Sequence, residues 1–257
     1  MNYKLLVDTA ILAGEIMVRG GAETYRVEDT VTRILQISGF KDCDVFVVST
    51  SIMVTLADTS IDAITQVRSV GERTTNLGNI YYANDISRKL CNGELELEVA
   101  NQMLEDLLEA KRYPDWLQYI CAIISAVSFA VLFGATVHEC IVAAFNGVFV
   151  MISRILNNKV KINRFVSNLF VCFIIATITS LFVRVPGIKA KIEPVIAGSI
   201  MPLLPGVALT NAIRDTLQGD YVSGTARLVE AFVTAAALAV GIFAGLGLGK
   251  YILGGIL

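Results

Sequence analysis

The sequence predicts a membrane protein: an α-helical bundle of about five transmembrane helices preceded by a small α+β cytoplasmic domain. Residues 1–115 carry 29 of the 44 charged side chains and a net charge of −7, whereas the remaining residues carry a net charge of +5. Apolar residues make up 54% of the chain, more than a soluble protein of this length usually contains. The uncharged runs that produce this excess lie in the second part, and most are long enough to cross about 30 Å of hydrocarbon as helices.

Five apolar runs account for the predicted spans. Four of them have 23, 19, 20 and 19 residues without a charge, namely 116–138, 165–183, 194–213 and 231–249. The fifth run, 140–153, has only 14, but Glu139 and Arg154 can lie at its two interfaces. A buried helix is the alternative for this run, and four spans with a re-entrant element are the alternative for the bundle. The predicted spans lie near residues 116–136, 139–156, 165–184, 194–213 and 229–250.

The predicted domains are a soluble cytoplasmic domain over residues 1–112 and a transmembrane domain over 113–257. Asp8 and Glu15 interrupt the first apolar stretch, so it does not have the pattern of a signal peptide. Periodicity predicts a helix that stops at Gly20-Gly21 and a second helix from Glu23 to Ser38. Alternation and turn residues then predict three strands and two further helices, at 45–49, 52–57, 64–70, 78–90 and 95–111.

Basic residues give the expected orientation, because they mark the cytoplasmic face of a membrane protein. Eight fall on the side of the N-terminal domain: Lys111, Arg112, Arg154, Lys159, Lys161, Arg164, Arg214 and Arg227. Four fall on the other side: Arg184, Lys189, Lys191 and Lys250. We therefore expect a multi-pass protein of the bacterial inner membrane with a cytoplasmic N-terminus and an external C-terminus.

The composition argues against several kinds of site. Five scattered cysteines without a C-x-x-C pair read as small apolar residues in a reducing compartment. A chain with one histidine offers no zinc site, and no phosphate-binding loop of the G-x-x-x-x-G-K-S/T type is present. We predict no metal, no cofactor, no nucleic-acid partner and no catalytic residues. Ser49-Thr50-Ser51 lacks a nearby histidine and a G-x-S-x-G elbow, so it reads as a strand or hairpin feature.

The most distinctive segment of the N-terminal domain is Arg19-Gly-Gly-Ala-Glu-Thr-Tyr-Arg-Val-Glu-Asp29. Charged residues cluster here at a helix N-terminus, which makes a polar site or a gate contact plausible. The candidate cytoplasmic cluster is Glu23, Arg26, Glu28 and Asp29. The structural alternative is a tight turn at the two glycines, followed by pairing of Glu23 with Arg26 and of Asp29 with Arg33 along one helix.

The fourth predicted span contains helix breakers in its middle. Pro202, Pro205 and Gly206 cannot maintain an unbroken ladder of backbone hydrogen bonds. Discontinuous helices of this kind often form the binding site of secondary transporters; a proline kink used only for packing is the alternative. Polar residues continue from the break, so the candidate substrate path comprises Pro202, Pro205, Gly206, Asn211, Arg214 and Asp215.

These two motifs resemble the threonine/serine exporter family. The similar stretches are Gly21-Ala-Glu-Thr-Tyr-Arg-Val-Glu-Asp29 and the segment from Ile200 through Pro205-Gly206 and Asn211-Ala-Ile-Arg-Asp215 to Gly219-Asp220 and Gly224. The resemblance covers essentially the whole chain. It implies the split branch, in which a larger subunit with a cytoplasmic domain and five spans acts with a second, smaller membrane subunit. Paired subunits of this branch are associated with succinate export, and fused relatives export threonine and serine.

Other polar residues within the predicted spans are weaker candidates. His138 and Glu139 are expected at the external interface, where their titration could couple transport to protons; a simple loop role is the alternative. Asn146 and Asn168 are candidates to bridge helices. Small residues fill the fifth predicted span, which suits close helix packing against a partner or within this subunit.

We therefore expect a subunit of a secondary exporter for small hydrophilic metabolites, either threonine/serine-type amino acids or a dicarboxylate such as succinate. The expected partners are a second five-span subunit, a small-molecule substrate and the lipid bilayer. Arg214 would attract a carboxylate, Asn211 would hydrogen-bond it, and the Glu23–Asp29 cluster would act as a gate. A membrane-anchored enzyme and a ligand sensor that use the N-terminal domain are the alternatives.

Overall fold

The computed structural model describes residues 1–71, 74–109, 113–160, 162–183 and 190–252. Its helices are α1 (Tyr3–Gly20), α2 (Thr24–Leu35), α3 (Leu77–Cys91), α4 (Leu97–Glu109), α5 (Asp115–Leu132), α6 (Val137–Val160), α7 (Arg164–Phe182), α8 (Ile192–Ile200), α9 (Gly206–Leu217) and α10 (Tyr221–Ile252). Its strands are β1 (Asp42–Val48), β2 (Ser51–Asp58) and β3 (Ile61–Ser69). Five basic residues used for the orientation lie outside the described residues, namely Lys111, Arg112, Lys161, Arg184 and Lys189.

The chain forms two compact units, and each unit is made of two separate segments of the sequence. The first unit comprises Met1–Lys111 and Gly206–Val229, and the second comprises Arg112–Pro205 and Glu230–Leu257. A segment after the proline break therefore belongs with the N-terminal residues, whereas a single boundary at residue 112 was expected. The long helix α10 begins in the first unit and ends in the second.

Helix α1 is the centre of the first unit. Its apolar residues are almost completely buried, among them Leu6, Ile11 and Ile16, and α2, α3, α4 and the sheet pack around it. The sheet is an antiparallel meander in the order β1-β2-β3. Ser49 and Thr50 form the turn between the first two strands, so their interpretation as a hairpin feature is confirmed. The predicted α+β architecture is confirmed as well.

In the second unit, α5 ends earlier than the apolar run that predicted it. The run continues to His138, but the helix ends at Leu132, whereas a span to residue 136 was expected. Gly134 has a φ of 84°, and its N–H and that of Ala135 donate to the carbonyls of Val131 and Ala130 at 2.9 Å each. This is a Schellman motif, which needs a left-handed residue and terminates a helix regardless of hydropathy.

Within the same unit, α7 and α10 pack closely through glycines of α10. A Cβ added at Gly245 would lie 2.8 Å from the Cβ of Ala176, and one added at Gly249 would lie 2.6 Å from the Cβ of Ser180. The hydroxyl of Thr177 donates to the carbonyl of Gly245 at 3.2 Å. Small residues of the fifth predicted span therefore pack within this chain, one of the two expected uses.

Three of the described helices are long and apolar enough to cross a membrane: Val137–Asn157, Arg164–Phe182 and Tyr221–Ile252. Helices α8 and α9 meet the same criterion only together, as a broken span or a re-entrant loop, and the apolar helix Trp116–Leu132 is shorter. Each of the five apolar runs thus contains a helix, although the first run continues beyond α5 and the fourth is interrupted between α8 and α9. The number of five spans stays a prediction, and α10 begins at Tyr221 rather than near residue 229.

Candidate functional site

The site is built on the turn between α1 and α2, residues 21–24, which we call the 21–24 turn. Gly21 ends α1 with a φ of 87°, a left-handed conformation that costs other residues about 1–2 kcal/mol. The N–H groups of Gly21 and Ala22 return to the carbonyls of Val18 and Met17 at 3.0 Å each. Glu23 precedes α2 but does not cap it with its side chain. The carbonyls of residues 21 and 22 and the first N–H of α2 therefore need other partners.

Residues about 190–205 positions away supply those partners. The amide nitrogen of Asn211 donates to the carbonyl of Gly21 at 2.7 Å, and Arg227 donates to the carbonyl of Ala22 at 2.8 Å. The N–H of Thr24 donates to a carboxylate oxygen of Asp215 at 3.1 Å. Asp215 thus caps the N-terminus of α2, a role that the side chain of Glu23 at the N-cap position does not fill.

Charged pairs reinforce this contact. Nε of Arg227 lies 3.1 Å from the second carboxylate oxygen of Asp215, and the two side chains are 6% and 0% exposed. Glu23 pairs with Arg214 through one oxygen and with Arg26 through the other, the latter at 3.3 Å. Because a buried charge is tolerated only when it is paired and hydrogen-bonded, the 21–24 turn and the residues around Asp215 depend on each other.

The local charges also set the pKa of Glu23. Burial raises this pKa, but a hydrogen bond from its own backbone and the positive charges of Arg26 and Arg214 outweigh burial, so the pKa is below its ordinary value of 4.5. The pKa of Glu28, by contrast, is raised above its ordinary value. Burial raises its pKa, the N–H of Val47 opposes the shift, and the charges of Asp220 and Asp215 add to it.

A cavity of about 650 Å³ lies beside the 21–24 turn, within the usual size range for small-molecule sites. It is lined by five of the predicted residues, namely Glu23, Arg26, Gly206, Asn211 and Arg214. The two motifs that were 190 residues apart in the sequence therefore meet at one cavity.

The cavity also has a wall that sequence reasoning missed. Leu77, Ile80, Tyr81 and Asn84 line it from α3, together with Val207 and Thr210 from α9. The four α3 positions follow the spacing i, i+3, i+4 and i+7 of a single helix face. That spacing was visible in the sequence, but without a charged residue nothing distinguished this face from an ordinary packing face.

Other predicted residues lie elsewhere. Asp29 pairs with Arg33 at 2.8 Å on an exposed face of α2 and does not line the cavity. Pro202 and Pro205 lie in the interruption between α8 and α9, where a 3-10 turn, Met201–Leu203, is followed by extended backbone at Leu204. Asn211 and Arg214 are expected from the sequence to bind the substrate. In the structure both have protein partners, Gly21 for Asn211 and Glu23 for Arg214.

In the second unit, Glu139 is buried and its carboxylate is fully engaged. It accepts hydrogen bonds from the N–H groups of Thr136 and Lys191, so it ties the beginning of α6 to the beginning of α8. His138 next to it is exposed. A role for either residue in proton coupling stays a prediction.

Replacing Glu23 by glutamine tests the charge arrangement through its pH dependence. Hydrogen bonds to charged groups contribute about 1.5–3 kcal/mol to stability. We therefore expect Glu23→Gln to lower the free energy of unfolding by about this amount near neutral pH. Since the pKa of Glu23 is lowered by folding, its contribution is present above the ordinary value of 4.5 and disappears as the pH falls through the folded-state pKa. The difference in thermal unfolding between the wild type and Glu23→Gln should therefore shrink in acid. A difference that does not change with pH would contradict this account.

Comparison with known proteins agrees with the two motifs. The chain is 28% identical to a probable threonine/serine exporter of Mycobacterium tuberculosis over 251 residues, which are 96% of this chain and 46% of that protein. It is 23% identical to a probable succinate transporter subunit YjjP of Klebsiella aerogenes, over 88% of this chain and 87% of the relative. The YjjP of Escherichia coli is 22% identical over 90% of both chains.

The chain thus spans about half the length of its mycobacterial relative. No solved structure matches it. The family match itself extends over residues 8–249, through both units and both motifs, and the apolar helices identify a membrane protein. The chain belongs to the threonine/serine exporter family, ThrE.

Proposed function

We propose that this chain is a subunit of a secondary exporter for small hydrophilic metabolites, either threonine/serine-type amino acids or a dicarboxylate such as succinate. The observation that carries the proposal is the cavity at which the family's two motifs meet. Arg26 and Arg214 give it a carboxylate-binding character, and Asn84, Thr210 and Asn211 add neutral hydrogen-bonding groups. Such groups suit small polar carboxylic acids.

The arrangement of Glu23 suggests how the cavity would respond to substrate. Glu23 holds Arg26 and Arg214 through different oxygens, so a substrate carboxylate would compete with Glu23 for the same guanidinium groups. Exchange of these partners would loosen the contact between Arg214 and the 21–24 turn. The turn would then act as the gate expected from the sequence.

The same contacts support the proposed orientation. Arg214 and Arg227 bond to residues 22 and 23, so both belong on the side of the N-terminal domain, as the distribution of basic residues requires for a cytoplasmic N-terminus. We further propose that the protein lies in the bacterial inner membrane and acts with a second five-span subunit, as the word subunit in the names of its YjjP relatives suggests.

The direct test is efflux of labelled serine, threonine and succinate from cells that express this chain with and without a five-span partner. We expect partner-dependent efflux of at least one of the three compounds. Absence of such efflux for all three, with both proteins present in the membrane, would overturn the proposal.

Variants of the cavity sharpen this test. Thr210→Trp should obstruct the cavity with a bulky side chain, and Arg214→Ala should remove a carboxylate partner. We expect each to reduce efflux about tenfold or more, in Arg214→Ala because hydrogen bonds to charged groups are worth about 1.5–3 kcal/mol. Lys89→Ala is the matched control. It removes a cation that is paired with Asp85 at 2.9 Å but does not line the cavity. Equal efflux in all three variants would exclude the cavity from the transport path.

A further inference from the structure

A buried group of polar side chains lies in the second unit, apart from the cavity and from the 21–24 turn. It consists of Asn146 on α6, Thr179 on α7 and Ser199 on α8, each 0% exposed. The amide nitrogen of Asn146 donates to the hydroxyl oxygens of Thr179 at 3.0 Å and of Ser199 at 3.1 Å. We call these three residues the amide–hydroxyl cluster. They confirm that Asn146 bridges helices.

Apolar residues enclose the cluster on both sides. Val142 lies one turn before Asn146 and Val195 one turn before Ser199, and both valines belong to one buried apolar group. A second buried apolar group consists of Val150, Val171 and Ile175. A polar group in such surroundings is costly unless all its atoms have partners.

One atom of the cluster has no such partner. The carbonyl oxygen of Asn146 is buried and has no hydrogen-bond partner among the described residues. Turning the amide around exchanges the positions of oxygen and nitrogen. The oxygen would then face the two hydroxyls, and the nitrogen would be the atom without a partner. Neither orientation satisfies the side chain by itself.

The turned amide brings three oxygen atoms together. The hydroxyl of Ser199 donates to the carbonyl of Val195 at 2.7 Å, so its lone pairs remain for a ligand. The end of α8 adds further negative character, because helix carboxyl ends carry partial negative charge. Pro202 has no N–H to donate to the carbonyl of Gly198 four residues earlier.

We propose that the amide–hydroxyl cluster binds a small monovalent cation, Na⁺, through the oxygens of Asn146, Thr179 and Ser199. Hard cations prefer oxygen ligands, and helix ends and interrupted helices coordinate Na⁺ in secondary transporters. The three side chains are neutral, so they suit a single positive charge better than a divalent ion, which usually binds to carboxylates. The cation site would supply the ion coupling of the export proposed above, and only this consequence depends on that proposal.

Binding can be measured on the purified full chain in detergent, without any transport assay. A ligand that binds the folded state raises the melting temperature, and the increase grows with the logarithm of the ligand concentration once this exceeds the dissociation constant. We expect sodium chloride to raise the melting temperature above that in choline chloride of equal ionic strength, by an amount that increases with the salt concentration. Potassium chloride should have a smaller effect. Equal melting temperatures in sodium and choline would overturn the site, and equal effects of sodium and potassium would overturn the assignment to a small ion.

Variants locate the effect. Asn146→Ala should abolish the sodium-dependent shift, and Thr179→Val, which keeps the side-chain shape, should weaken sodium binding about tenfold or more. Ser153→Ala is the control, since Ser153 lies on the same helix, is hydrogen-bonded to Ser167 at 2.7 Å and is not a member of the cluster, and it should keep the full shift. A sodium shift that persists in Thr179→Val and Asn146→Ala would place the ion elsewhere. Loss of efflux with an intact sodium shift would count against the proposed function and leave the cation site standing.

Discussion

Replacing Asp215 by alanine is expected to destabilise the protein by about 3–5 kcal/mol, the usual cost of removing one partner from a buried ion pair. The substitution leaves the buried guanidinium of Arg227 without its carboxylate and the N–H of Thr24 without its acceptor. Thermal or denaturant unfolding of the purified full chain in detergent measures the loss. We also expect efflux to fall, because the 21–24 turn loses its cap.

Two further variants separate these effects. Asp215→Asn removes the charge but keeps an oxygen that can accept from Thr24, so it should lie between the wild type and Asp215→Ala. Asp29→Ala is the matched control, because it breaks an ion pair with Arg33 whose side chains are 58% and 66% exposed. Exposed pairs contribute little. If Asp29→Ala destabilised the protein as much as Asp215→Ala, burial would not explain the role of Asp215.

Replacing Gly198 by alanine is expected to have the second large effect. A Cβ at this position would lie 2.6 Å from Cα and 2.7 Å from Cβ of Ala130. Both atoms belong to α5 or are attached directly to its backbone, so no flexible side chain can move aside and the two helices must separate. Overpacking of this kind costs about 1–3 kcal/mol, and we expect a lower melting temperature of the purified chain.

Gly247 provides the comparison. It lies in α10, and a Cβ there would have none of the described atoms within 4 Å. Gly247→Ala should be neutral or stabilising, because alanine is favoured over glycine in a helix by up to about 1 kcal/mol. Similar destabilisation by both substitutions would show that loss of glycine, rather than contact with Ala130, is responsible.

The fold of the N-terminal residues was predictable because its signals are local. Gly21 and Gly39 terminate helices in left-handed conformations, and alternating apolar residues identify the three strands. The membrane helices were located by hydropathy, but their ends were not. A hydropathy profile does not detect the Schellman motif at Gly134. The burial of Arg227 was not predictable either, because its buried partner, Asp215, is not a neighbour in sequence.

The site was predictable only in part, for the same reason. Glu23 and Arg214 stood out as charged residues beside helix breaks, and the structure brings them together. The sequence contained no sign that Asn211 and Asp215 bond to backbone groups of the 21–24 turn, since backbone groups carry no sequence signal. The α3 wall of the cavity was missed because Leu77 and Tyr81 differ in no way from residues of an amphipathic packing face.

The length of α10 has a mechanical consequence. At 1.5 Å per residue its 32 residues extend about 48 Å, while the hydrocarbon layer is about 30 Å thick. Even a tilt of about 40° would immerse only about 39 Å of the helix in hydrocarbon, so the remaining part, about 9 Å, lies in the headgroup region or in water. Arg227, near its beginning, is fixed to the carbonyl of Ala22, and Gly245, near its end, is held by Thr177. Each end of α10 is thus hydrogen-bonded to a neighbouring element of the unit in which that end lies.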